Sequence, residues 1–203
     1  MVIDKYPLVL IDQNIQIIQQ TSVGTDNALA VSQGLSYISS QGHKNVGILL
    51  PTIDNSVLQE RCDAVFQYSA ITGFPLKQEL WLKDLGHSSE IVSEESIDRI
   101  ALHLTEHPEI TALFAFQYPL AVAADQAARR IGRTTGKDLS ILCFDSPLPL
   151  FGRPQFTHLH QDEAAIGEKA VELLLELISH PVQAPQNVKI PAKLVEGESF
   201  FAL

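Results

Sequence analysis

The sequence predicts an α/β fold built on a doubly wound, largely parallel sheet, and three observations carry that reading. Apolar runs of about five residues alternate along the chain with amphipathic stretches of about fifteen. Most of these runs are continuously apolar, as strands covered on both faces of a parallel sheet are, instead of alternating apolar with polar. Helix-stopping residues stand where the amphipathic stretches must end: Gly42 after the first, Pro108 after His107, and Pro181 just beyond His180.

In chain order, PLVLI (7–11) is the first buried strand, and a helix runs from Asn27 to Gln41 up to Gly42. NVGILL (45–50) is the next strand, followed by a helix near 56–72 and a further apolar run, ELWLKDL (79–85). A helix near 93–107 presents Ile97, Ile100 and Leu104 on one side before ALFAF (112–116), a helix near 119–131, SILCFD (140–145) and THLHQ (157–161). The last helix, Asp162 to Ile178, places Ile166, Ala170, Leu173, Leu174 and Leu177 on one stripe, with Glu168, Lys169, Glu172 and Glu176 largely off it. Strand, helix, strand in this order implies βαβ crossovers. Polar and proline-rich loops fall at 51–56, 85–93, 146–156 and 181–187. In an open α/β sheet ligands bind at the carboxyl ends of strands, so the loops after Ile11, Leu50, Phe116 and Phe144 are the ones to search.

Composition bounds the function. The chain has 203 residues, enough to bury roughly 70% of its unfolded surface in one large domain or two small ones. Twenty-four acids against 14 Lys and Arg give a formal charge of -10 and no basic patch, which disfavours contact with phosphate backbones. No apolar run approaches the roughly 18 to 20 residues of a membrane span, and MVIDKYPLVLID lacks the features of a signal peptide, so the expected location is the cytoplasm. Cys62 and Cys143 form no CxxC pair and are expected to be reduced thiols.

Several motifs resemble catalytic or metal sites and fall short. His103-Leu-Thr-Glu-His107 has the spacing of some zinc peptidases, yet it lies at a helix end before Pro108 with no third ligand evident. His158 and His160 share one strand face by the period of two, again without a third ligand. Gly132-Arg-Thr-Thr-Gly136-Lys137-Asp138 is one residue short of a phosphate loop, ends in Asp where Ser or Thr should stand, and precedes a strand. There is no GxGxxG and no GxSxG. We therefore expect no enzyme, no cofactor and no metal.

Asp12 and Asp145 each end an apolar strand, where a carboxylate projects into the crevice at the top of the sheet. Arg61, in the first turns of the helix after Leu50, can bring its fork of donors to the same crevice. Two carboxylates and one guanidinium suit a polyhydroxy ligand, because each makes directed bonds to hydroxyl pairs. An internal salt bridge is the plainer alternative, and the sequence leaves both open.

Together these segments resemble the effector-binding domain of the lactose and galactose repressor family of bacterial regulators. PLVLID (7–12) is similar to the family strand that ends in aspartate, and residues 22–50 to its pattern of TDN, helix, LGH and strand. LQERCDAVFQY resembles ERxxGY, with Ala64 in place of the glycine. DLSILCFDSP resembles the GFDD strand, FTHLHQDEAAIGEKAVELLLELI the segment entering the last helix, and IPAKLVEGESF the closing strand. The resemblance implies a periplasmic-binding-protein-like fold with Asp12, Arg61, Gln117 (at the family's asparagine) and Asp145 in the effector cleft. Tyr118, Ser146 and Gly197 depart from the family pattern.

It further implies a sensing module that binds a small sugar-like effector, acts as a homodimer, and meets DNA only through a helix-turn-helix head. That head and the first part of the N-terminal subdomain have no counterpart in these residues, so the expected chain is a fragment or a truncated relative. Residues 1–22 and 162–180 would belong to a partial N-terminal subdomain, and 23–161 and 188–203 to the C-terminal one. A solute-binding protein of the same fold is the alternative; it should carry an export signal. A receiver-like phosphorylation switch at Asp145-Ser-Pro needs acids at an adjacent strand end, and Leu49-Leu50-Pro51 offers none.

Overall fold

The structure is a computed structural model and describes residues 6–12, 20–86, 93–180 and 184–203. Pro181, the expected stop of the last helix, and residues 87–92 of the loop expected at 85–93 lie outside the described residues.

The strands form two sheets. The larger contains β3 (Val46–Leu49), β4 (Ala112–Ala115), β5 (Ser140–Phe144), β6 (Thr157–His160) and β8 (Lys193–Val195), in that spatial order. All its neighbours are parallel except β6 and β8. Helices α1 (Asn27–Ser40) and α2 (Ser56–Thr72) cover one face, and α3 (Glu94–Glu106) and α4 (Tyr118–Arg130) the other. The period of two divides each strand between them: Phe114 and Phe144 pack with Leu35 and Val65, while Leu113, Ile141 and Cys143 pack with Ile100 and Ala124. With both faces covered, β4 and most of β3 and β5 are apolar, which is why these strands read as unbroken runs.

The smaller sheet contains β1 (Val9–Ile11), β2 (Thr21–Thr25) and β7 (Asn187–Ile190), all parallel in the order β1-β2-β7. Helix α5 (Glu163–Ser179) lies against it through Ile166, Ala170 and Leu173, which bury Val23 with Val9, Val188 and Ile190. Strand residues 23–25 and 188–190 therefore sit in the smaller sheet. The five buried residues TSVGT of β2 carry no apolar period to mark them as a strand. ELWLKDL also departs from expectation. It forms a 3-10 turn at Gln78–Leu80 and a single bridge from Leu82 to Leu49, and past the left-handed Asp84 (φ 58°) two backbone bonds continue, Leu85 N–H to the Leu50 carbonyl and Thr52 N–H to the Gly86 carbonyl.

Helix starts follow local chemistry. Asp26, Asn55, Ser93 and Asp162 each accept a hydrogen bond from a first-turn backbone N–H. The two histidines of the HxxEH segment have protein partners: His103 is buried with Nε2 3.0 Å from the Leu80 carbonyl oxygen, and His107 Nδ1 lies 3.4 Å from Glu109. Among the described residues no group of three or more His, Cys, Asp or Glu is placed to hold a metal, and no helix there is long and apolar enough to cross a membrane.

Candidate functional site

Asp12 and Asp145 occupy matching positions at the ends of β1 and β5. Both have left-handed backbones, with φ of 49° and 56°, a conformation that Asp tolerates better than most residues and that costs on the order of 1 kcal/mol. Each donates its backbone N–H to the neighbouring strand, Asp12 to the Val23 carbonyl at 3.0 Å and Asp145 to the Leu159 carbonyl at 3.1 Å. Each carboxylate then accepts the backbone N–H two residues further on: Asp12 from Thr25 and Asp145 from Gln161, both at 3.1 Å. Thr25 and Gln161 are where the chain leaves one sheet for the other, Thr25 towards α1 and Gln161 towards α5. The two strand-end aspartates thus anchor two chain crossings by the same device.

The crossings are joined through side chains. Thr25 Oγ1 donates to Gln161 Oε1 at 2.7 Å, Arg61 Nη2 donates to the same oxygen at 3.1 Å, and Gln161 Nε2 donates to Asp145 Oδ2 at 2.6 Å. Arg61 projects from α2, only 4% exposed, with its guanidinium carbon 3.4 Å from the centre of the Phe144 ring. Its Nε donates to Asn27 Oδ1 and its Nη1 to the Phe116 carbonyl oxygen, each at 2.8 Å. Asn27 in turn donates to Glu60, which pairs with Lys189 of β7 at 2.9 Å. Burial pulls the Arg61 pKa down to about 10, and Asp145, Asp12 and Glu60 oppose that fall. It remains a cation at neutral pH, as a buried guanidinium with several hydrogen bonds and nearby acids should.

The structure brings Asp12, Arg61 and Asp145 to one junction. It does not pair Arg61 with Asp145 directly, because Gln161 stands between them. Gln117 is the residue before α4, adjacent to the carbonyl that Arg61 holds; its side chain makes no capping bond and does not join the network. The sequence reading missed Thr25, Asn27, Glu60, Gln161 and Lys189. Gln161 could have been found by applying to the end of THLHQ the strand-end rule that singled out Asp12 and Asp145. A small cleft opens on the Asp12 side, between the small sheet and the first turns of α2, lined by residues that include Asp12, Ser22, Gly24, Ser56, Glu60 and Lys189.

Burial pushes the Cys62 thiol up to about 11 and raises that of Cys143 as well, so both stay protonated and weakly nucleophilic. What the junction offers is a set of directed donors and acceptors shared by two sheets.

Residues 35–200 match the family model described as the periplasmic binding protein-like domain. The chain is 28% identical over 205 residues to the HTH-type transcriptional regulator MalR of Streptomyces coelicolor, covering 95% of this chain and 56% of that protein. It is 26% identical over 198 residues to the ribose operon repressor of Haemophilus influenzae, covering 97% and 58%. The chain thus spans a little over half the length of these curated relatives. In fold it is similar to a LacI-family regulatory protein from Chloroflexus aggregans (TM-score 0.81, 22% identity, 98% of this chain and 70% of that one). It is similar also to a LacI-family regulator from Enterococcus faecium with bound ribose (TM-score 0.77, 19% identity, 97% and 71%). The two-sheet architecture and the length of the match agree: the chain belongs to the periplasmic binding protein-like domain family, and the curated relatives it matches are transcription regulators.

Proposed function

We propose that this chain is the effector-sensing part of a transcription regulator, binding a small hydroxyl-rich molecule, a sugar or sugar derivative, between its two sheets. The observation that carries this reading is the network of Asp12, Thr25, Arg61, Asp145 and Gln161, whose members come from both sides of the junction and tie two chain crossings together. A ligand that touches both sheets favours one arrangement of them over another, which is the requirement for an allosteric signal. Asp12, Arg61, Gln117 and Asp145 are its proposed contacts, with the smaller part formed by β1, β2, β7 and α5 and the larger part by the rest. Two fold neighbours, a regulator with bound ribose and CelR in complex with cellobiose, are in keeping with a sugar.

In this reading no bond is made or broken. Operator binding belongs to a separate DNA-reading head, since this chain carries a charge of -10. The regulator works in the cytoplasm as a homodimer. Leu148, Leu150 and Phe151 support association, standing 56%, 94% and 92% exposed on one loop after β5.

Calorimetric titration with ribose, cellobiose and related sugars tests the reading. Each charge-assisted bond to a buried hydroxyl is worth roughly 1.5 to 3 kcal/mol, so Arg61→Ala or Asp145→Asn should weaken binding about tenfold to a hundredfold. Folded variants that bind as tightly as the parent would overturn the site assignment.

A further inference from the structure

We infer that the junction selects an uncharged, hydroxyl-rich molecule and rejects the phosphorylated or carboxylated form of the same molecule. The inference rests on the sensing reading and goes beyond it, because it follows from the charge and donor supply of this chain's own residues.

Asp12, Glu60 and Asp145 gather around Arg61, each close enough to favour its charged form, and Lys189 joins them through Glu60. Three carboxylates face two cations, which leaves one negative charge in excess before anything binds. Both cations also have protein partners. Lys189 Nζ lies 3.2 and 2.9 Å from the two Glu60 oxygens. All three Arg61 nitrogens already donate to the protein, and one face of the guanidinium rests on Phe144. A phosphate is held best by two parallel N–H groups along one edge of an uncommitted guanidinium. Three of the five Arg61 N–H groups are already donating, which leaves one N–H on each terminal nitrogen.

The N-terminus of α4, left without a side-chain cap by Gln117, adds at most about half a positive charge, so the sum stays negative. Residues 13–19, which follow Asp12, contain no charged side chain.

The carboxylates have acceptor capacity to spare. One Asp12 oxygen holds the Thr25 N–H, and the other has no partner among the described residues. Each Asp145 oxygen accepts one N–H and retains a further lone pair. Hydroxyl groups bring donors to such a site. A phosphate brings acceptors and about -1.5 to -2 charge, in surroundings where burial weakens screening by salt.

The test titrates the 203-residue chain calorimetrically with ribose and ribose 5-phosphate, glucose and glucose 6-phosphate, gluconate, and inorganic phosphate alone. We expect saturable binding of a neutral sugar, at least tenfold weaker binding of its phosphate ester, and no saturable binding of inorganic phosphate at millimolar concentration. An ester that binds as tightly as its parent sugar overturns the inference and leaves the sensing reading standing. No binding by any of them, with the chain folded by circular dichroism, counts against the sensing reading and removes the inference with it.

The cause is tested by D12N/D145N, which removes two negative charges, and by Glu60→Gln, which removes one and releases Lys189. Each should raise the affinity for the ester relative to the neutral sugar by about tenfold. If the double variant does not fold, Glu60→Gln alone decides. An unchanged ratio in the folded variant means that charge is not what discriminates, and the inference fails.

Discussion

Gln161 is the residue on which the junction depends most. Its amide accepts from Thr25 and Arg61 and donates to Asp145, so Gln161→Ala leaves a buried guanidinium one partner short and removes the direct side-chain bond between the two crossings. We expect a loss of about 2 to 3 kcal/mol, read from urea unfolding; a change below about 0.5 kcal/mol would mean that water replaces the amide without cost. Gly24 is a second sensitive point. A Cβ there would lie 2.7 Å from Asp12 Oδ1 and 3.3 Å from Asp12 Cα. Gly24→Ala should therefore displace the Asp12 carboxylate from the Thr25 N–H, at a cost of about 1 to 3 kcal/mol, and the Thr25 amide should lose protection in hydrogen exchange. Of this site the sequence showed the charged residues at strand ends and hid the neutral ones. Asp12, Arg61 and Asp145 announce themselves by charge next to apolar runs, whereas Thr25, Asn27 and Gln161 have residue types that are common in any loop.

At the level of elements, helices with one apolar face were legible and strands lying against polar neighbours were not. The expected helix at 27–41 agrees with α1 and that near 56–72 with α2, because a capping Asp or Asn precedes each. Asn55 caps α2 by accepting from the Leu58 N–H at 3.0 Å. Asn55→Ala should destabilise the chain by about 1 kcal/mol, with exchange of the first-turn amides of α2 rising before the rest of the helix; an unchanged midpoint would assign that work to solvent. β2 and β7 escaped notice for different reasons. β2 is buried by tertiary packing in spite of its Thr, Ser and Gly content, and NVKI of β7 alternates between exposed and half-buried residues at a sheet edge. Their pairing with each other spans most of the chain, and no local pattern encodes a contact of that separation.

For the whole molecule, acid sensitivity follows from two histidines that the fold buries in their neutral forms. His43, bonded to Thr111 and to the Phe201 carbonyl, and His158, bonded to the Phe156 carbonyl, are both 0% exposed, and burial lowers both pKa values below 6.5. A depressed folded-state pKa means that the unfolded chain binds protons first. This contribution is complete above about pH 6.5 and is lost as pH falls through the folded values. Urea midpoints should therefore drop between pH 7 and pH 5, and His158→Gln should flatten part of that slope; a midpoint constant over that range would contradict the assignment. The paired aspartates at the two crossings also have a mechanical consequence. One crossing leaves the small sheet and the other leaves the large one, so a twist between the sheets draws Thr25 and Gln161 along their backbones in opposite senses. The hydrogen bond between their side chains lies across that shear, and its length is a gauge of how far one sheet has rotated on the other.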